Sequence, residues 1–505
     1  MKRILGTMVI LCILAANGWA DEVDPKLQWP HWRGPNNCGV GHATNIPDAF
    51  GPDKNLKWKV AIPGHGQATP VIWGDRIFVL TAVPLDAQGK PMAVPEPEPG
   101  RGGGGFGGPP NRGERSRAEG GERPRRPGPP GNAEGSPPRR PQAGGERSGR
   151  GGFRGRGGGR RGGFGGSTPT NVHRFAVMCL DRKTGSVLWD ETPVQILPHE
   201  GHHRSYGSFA SGSPFIDGDR VYVSFGSRGL YCYDFEGNLV WKRDLAKMKM
   251  RNAFGEGSSP IVYGNVLVTT FDHEGESFIA GLNKETGNVL WETPRPTVSA
   301  WSTPVVVEVD GKPQVVTTGT PAVRGYDLAT GKELWHCDGM TTNAIPSVVY
   351  GQGLIFAASG FRGNALFAIR PGGTGDLTGD AKSIAWSLDR GTSYVPSPML
   401  YGDELYLLED SGTMSCYDAR TGKAHYARER LPDGGRVRFH SSPVGAGDKI
   451  YLVDGGGTCV VLKRGPKLEV LGVNPMEERF NASPAVAAGD LFLRGSRHLF
   501  CIGVN

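Results

Sequence analysis

The chain has 505 residues, a formal net charge of +7, and an unusual content of 79 Gly and 40 Pro, which signals low complexity, many turns, or both. The charge is concentrated: residues 85–168 hold 15 Arg and 1 Lys against 8 Asp and Glu. The rest of the chain beyond Lys2 and Arg3 is net −3, which argues against a nucleic-acid-binding domain.

Lys2-Arg3, an apolar stretch from Ile4 to Ala16, and Gly18-Trp19-Ala20 read as a secretory signal peptide over residues 1–20. The stretch is short for a membrane span, and no other segment is apolar enough to be one. Leu11 before Cys12 argues against lipoprotein-type cleavage. Export to the periplasm or cell envelope is therefore expected. Residues 21–54 form a lead-in whose WPHWRGPNNCGVG, Trp29 to Gly41, is too rich in Gly, Pro and Asn for an element interior. It is expected to dock through Trp29 and Trp32. LKWKVAI, Leu56 to Ile62, alternates as a strand.

From there one phrase recurs eight times: a small residue beside a proline, an apolar run, a Gly/Asp turn, and a second run. The anchoring prolines are Pro70, Pro214, Pro260, Pro304, Pro346, Pro398, Pro443 and Pro484. After the first gap they are 46, 44, 42, 52, 45 and 41 residues apart, near the period of four-stranded propeller blades. The last repeat stops after three strands' worth of chain, so the strand at Leu56 is expected to complete it. Such a closure removes free sheet edges. The reading is an all-β, eight-bladed propeller over residues 55–505, expected to be monomeric, with a Gly/Arg/Pro-rich insert at 85–168 inside blade 1.

The insert's only aromatics are Phe106, Phe153 and Phe164, too few to build a core, so it is expected to be disordered. Its RGGFRGRGGGRRGGFGG resembles RNA-binding RGG boxes, but export favours a solvated tether. It joins the second and third strands of its blade, on the face of the inter-blade loops. Repeats end in a TG turn and an aromatic: Trp189, Trp241, Trp291 and Trp335, with Trp386 after a longer loop and Tyr426 in the sixth. With Trp58 on the closing strand, these tryptophans are read as structural docking residues between blades. Cys179, Cys232, Cys416, Cys459 and Cys501 are read as occupants of one repeat position, too far apart to bridge and serving as small buried hydrophobes.

The TG-turn phrase with its terminal tryptophan, together with the SxP strand, resembles the tryptophan-docking repeat of the PQQ-like, or quinoprotein alcohol dehydrogenase-like, propeller superfamily. That superfamily includes the outer-membrane assembly factor BamB. WPHWRGP and GHHRSYGSFASGSP further resemble a secreted group of such propellers common in planctomycete-type bacteria. The BamB resemblance implies a non-catalytic binding or assembly scaffold whose partners are envelope proteins or extended peptides docked by strand addition. The alternatives are an oxidoreductase of alcohols or sugars using PQQ with Ca²⁺ or another metal, and a propeller that binds a small molecule or polysaccharide without turnover.

Propeller ligands sit at the channel mouth, which selects the polar residues before each repeat. These are His65, Gln67, His202, His203, Arg204, Arg251, Asn252, Glu256, Trp301, Asn343, Tyr394, Arg438, His440, Arg479 and Asn481. Asp272, His273 and Glu274, read as an exposed turn, join the same face, as does His199. His199, His202 and His203 suggest zinc or copper, but adjacent histidines rarely ligate one ion. By resemblance, a working quinoprotein would need an adjacent Cys-Cys pair, which is absent, Glu/Asn ligands for Ca²⁺ beside an Asp base, and a tryptophan floor, for which Trp301 is the candidate. No nucleophile elbow, phosphate loop or HExxH is present.

Overall fold

A computed structural model describes residues 24–93, 165–166, 168–432 and 438–504. The signal-peptide segment and nearly all of the insert therefore lie outside the described residues. Within them the chain forms eight antiparallel sheets, each of four strands or more. Blade 1 comprises Val71–Trp73, Arg76–Pro84, His173–Asp181 and Val187–Ile196. Blades 2 to 7 follow in order, each beginning with a short innermost strand: Phe215–Asp217, Ile261–Tyr263, Val305–Val309, Val349–Gly351, Met399–Tyr401 and Val444–Ala446. Blade 8 takes Ala485–Ala487, Asp490–Arg494 and His498–Ile502 from the end of the chain. Its fourth strand is Leu56–Ala61, antiparallel to His498–Ile502 with Leu56 opposite Ile502. The ring is closed as the truncated last repeat requires.

Both faces of the inner three strands are covered by neighbouring blades. They therefore read as continuous apolar runs, and LYCYD and FVLTA are buried along nearly their whole length. The outer strands are the ones that meet solvent along most of their length. Trp58, Trp189, Trp241, Trp291 and Trp386 each donate their indole N–H to a main-chain oxygen in the next blade's turn, at 2.8 to 3.0 Å. The turn glycine beneath each ring has positive φ, and a Cβ on Gly331 would sit 2.3 Å from Trp291. The TG turn thus supplies both the bend and the seat for the indole. Trp335 differs. In blade 5 a loop of 14 residues, 370–383, replaces the short turn, and Trp335 bonds Gln314 of its own blade at 3.0 Å. Instead, Gly375–Asp376 from blade 5's long loop pairs in parallel with Trp335 and His336 as a fifth strand on blade 4.

Two further sequence expectations shift by two residues. Cys179, Cys232 and Cys501 face Trp189, Trp241 and Trp58, and Cys416 faces Tyr426. Val461 holds that position in blade 7, opposite Gly472, and Cys459 lies two residues earlier, opposite Asn474. All the described cysteines are free thiols. In blade 5 the residue aligned with the other anchoring prolines is Val348, because Ser347 takes the place of the preceding hydroxyl residue. Pro346 lies upstream.

Those hydroxyl residues form a ring about the channel. The main-chain N–H groups of Thr69, Ser213, Ser259, Thr303, Ser347, Ser397 and Ser442 each donate to the hydroxyl of the next blade's Ser or Thr, at 2.8 to 3.0 Å. The lead-in crosses beneath. Pro30 O accepts from Ile216 N in blade 2, while Cys38 O accepts from Leu400 N in blade 6, on the opposite side of the ring. Trp29 bridges Ile72 and is fully buried, as are His31, stacked on Phe215, and Arg33. Trp32 is only half-buried, so Trp29, His31 and Arg33 do the docking.

Candidate functional site

At the opposite end of the channel, the segment Gly201–Ala210 bends across the opening. It contains no strand. Gly207 N bonds His203 O at 2.9 Å, and Gln67 and Ala68 donate main-chain N–H groups to Ala210 O. The bend carries Tyr206 over the axis. The Tyr206 ring stacks on His203 at 3.6 Å on one side and on His440 of the loop entering blade 7 at 4.2 Å on the other. Its hydroxyl lies against that of Tyr394, which also lies against Asn343. Asn343 Oδ1 in turn accepts from Arg251 at 3.3 Å, and Arg251 pairs with Glu274 at 3.0 Å. His440 Nδ1 meets Asn481 Oδ1 at 2.9 Å. The mouth therefore joins His203, Asn343, Tyr394, His440, Arg251 and Asn481 around Tyr206, which the sequence reading passed over inside GHHRSYGS.

The histidines here are neutral. Burial pushes His203 and His440 down to about 4 and His65 down to about 3, and lowers His202. His65 and His202 lie 6.1 Å apart, ring to ring, and His202 packs edge-on to Phe209. Arg494 lies close enough to His65 to disfavour its protonation, and it stands where the other blades carry Leu80, Ser224, Thr270, Thr318, Ala358, Leu408 and Val453. It is 2% exposed, and its Nε and Nη2 have no partner. Aligning the repeats would have exposed it as the one charge at that position.

Other candidates are tied into the scaffold. Asp272 and His273 are buried, not exposed as the sequence suggested. Asp272 makes a two-pronged pair with Arg295 at 2.7 and 3.0 Å, and Arg295 also bonds Tyr326. Burial favours the neutral acid while Arg295 favours the anion. In a pair with this geometry the guanidinium stays charged and the pair is ionic. Glu256 pairs with buried Arg228 at 3.0 Å and accepts both the N–H and hydroxyl of Ser227 at 2.7 Å. Arg438 pairs with Asp410, and Trp301 donates its indole N–H to Gly255 O at 2.7 Å. Arg204 is exposed. Asn252 O accepts from Gly166 N at 2.8 Å, which places the insert's C-terminal end beside this mouth. At its other end Leu85 is buried and bridges Pro91, so ordered structure reaches beyond the expected boundary at Leu85.

Metal and cofactor chemistry can be tested against these bonds. Among the described residues, His199, Glu200 and Glu256 bring ligand atoms within 4.8 Å of one another; His202 and His203 are not in that group. Glu256 is already neutralised by Arg228, and Glu200 accepts Met250 N at 2.8 Å, so a cation there would face a buried guanidinium. A PQQ–Ca²⁺ pocket fits no better. Glu256, Asp272, Glu274 and Asp410 each hold an arginine, and Tyr206 fills the space above the axis. What the described residues of the mouth offer is aromatic faces, neutral imidazoles and amides, and arginines paired with carboxylates.

An eight-bladed ring with tryptophan-docked turns defines a PQQ-like propeller. The family model described as outer membrane protein assembly factor BamB matches residues 173–423 and 322–496, and the chain belongs to this family. It is similar to BamB of Shewanella oneidensis, 22% identical over 275 residues, a match covering 50% of this chain and 62% of that protein. Quinohemoprotein alcohol dehydrogenase from Comamonas testosteroni superposes with a TM-score of 0.54 at 11% identity, covering 95% of this chain and 82% of that one, a likeness of fold alone. BamB from Moraxella catarrhalis gives a TM-score of 0.47 at 14% identity, over 65% of this chain and 92% of that structure. Among the described residues no helix is long and apolar enough to cross a membrane.

Proposed function

We propose that this protein is an exported scaffold of the periplasm or cell envelope whose outer blade edges dock extended segments of partner proteins. The observation that carries the reading is on blade 4, where Gly375–Asp376 has added itself in parallel to the outer strand Glu333–Asp338. An outer edge of this propeller accepts an extended chain. Among the described residues, blades 1 to 3 leave that edge open and begin their outer strands with exposed aliphatic pairs. These are Val187-Leu188, Leu239-Val240 and Val289-Leu290, each side chain 42 to 51% exposed. A run of such pairs along neighbouring edges suits an extended apolar segment, whose main chain would supply affinity and whose side chains would supply register. The family supports the same reading, since its description is that of an assembly factor.

The test is selection of peptides from a random extended-peptide library against the purified protein. It is followed by binding to the triple variant Leu188→Lys, Val240→Lys, Leu290→Lys. Loss of at least tenfold in affinity supports edge docking. Unchanged binding in that variant, together with loss in Tyr206→Ala, would replace it with recognition at the mouth.

A further inference from the structure

Arg33 is a buried cation with nothing negative beside it. It is 2% exposed, and among the described residues no carboxylate lies within ion-pairing distance. Its Nη1 donates to Pro443 O at 3.0 Å and its Nη2 to Pro398 O at 2.9 Å, while Nε has no partner. Burial lowers its pKa only to about 10, so it remains charged at neutral pH. Carbonyl dipoles offset part of the desolvation of a guanidinium, but a whole charge removed from water ordinarily demands an opposite one.

Next to it lies a small cavity with room for about one water-sized occupant. Arg33, His31, Asn37, Ser259, Thr303 and Ser347 line it. The three hydroxyl oxygens already accept main-chain N–H groups from the preceding blades. Among the described residues, none of the three has its hydroxyl oxygen as the donor of a hydrogen bond, so all three hydroxyl protons are unused. The cavity is thus bordered by a cation, an unused guanidinium N–H and unused O–H groups, while the nearby carbonyls of Pro398 and Pro443 are engaged by Arg33. The neutral His31 ring and the Asn37 amide complete the polar lining. Trp32 and Asn37, both half-buried, also line it.

We infer that this cavity binds one halide-sized monovalent anion, chloride under natural conditions, held by Arg33 from the lead-in and by the hydroxyls of Ser259, Thr303 and Ser347 from the ring. The ion supplies the missing countercharge and ties the lead-in to blades 3 and 5, so docking of the lead-in is linked to chloride concentration. Polyatomic anions such as gluconate exceed the space.

The experiment has two arms on the full chain. Crystals grown in sodium bromide are expected to show an anomalous peak within hydrogen-bonding distance of Arg33 Nε. In solution, thermal melting at fixed ionic strength is expected to be higher by about 2 °C in potassium chloride than in potassium gluconate, the shift for roughly tenfold saturation. That difference should vanish in Arg33→Gln. If Arg33→Gln does not fold, the double variant Ser259→Ala, Ser347→Ala should reduce the difference instead. No bromide peak, or an equal halide effect in the variants, overturns the site.

Discussion

The two ends of the channel are closed by different means. Below the hydroxyl ring, the lead-in crosses from blade 2 to blade 6 and is fastened mainly by main-chain bonds: Pro30 O to Ile216, Cys38 O to Leu400, and the reciprocal pair between Gly39–Gly41 and Gly445. Above it, the bend at Gly201–Ala210 closes the mouth with side chains, Tyr206 between two imidazoles and against Tyr394. Main-chain bonds are indifferent to side-chain identity, whereas a stack of rings depends on every member. The lower closure belongs to the architecture, and the upper one is where sequence change can reshape recognition without disturbing the blades.

This contrast can be broken most severely from below. Trp29→Ala removes a fully buried indole that bridges Ile72, and should lower unfolding free energy by about 3–5 kcal/mol, read from the denaturant midpoint at unchanged slope. Tyr206→Ala at the mouth should cost only about 1–2 kcal/mol, with hydrogen exchange rising at residues 201–210 and not in the lead-in. Equal losses from the two substitutions would erase the distinction.

Acid should sharpen it. His31 and His65 are held down to about 3, and His203 and His440 to about 4, all by burial. Above pH 6.5 these groups are neutral whether folded or not, and they leave stability unchanged. Between pH 6.5 and about 4 the unfolded chain takes up protons that the folded chain refuses, so stability falls with pH. His31→Phe, which keeps the stack on Phe215, should flatten the melting-temperature profile over that window more than His203→Phe does. The smallest effect belongs to the outer edge: Leu188→Lys, half-exposed, should change stability by less than about 0.5 kcal/mol.

The repeat made the ring legible in advance. Spacing gave eight blades, the truncated final repeat pointed to Leu56–Ala61 as the closing strand, and TG turns marked the tryptophan seats, because each depends on local periodicity. The mouth was legible only as a list of residues. Tyr206 and His440 are far apart in sequence and meet only because the ring closes, so no local pattern joins them. Arg33 was hidden by the louder tryptophans of WPHWRGP. Pro346 misled because one blade carries its hydroxyl after the proline, and Cys459 because two short apolar runs look alike out of register.

The hydroxyl ring also has a direction. Seven times the main chain of one blade donates to the hydroxyl of the next, always the same way around. Between blades 8 and 1 the sense reverses, and Thr69 Oγ1 donates to Ser483 O at 3.1 Å. The belt therefore has one buckle, and it lies between blades 8 and 1. The chain already crosses that junction covalently, since residues 62–70 join Leu56–Ala61 of blade 8 to Val71–Trp73 of blade 1, so the non-covalent seam of the wheel is inside blade 8, between Leu56–Ala61 and His498–Ile502.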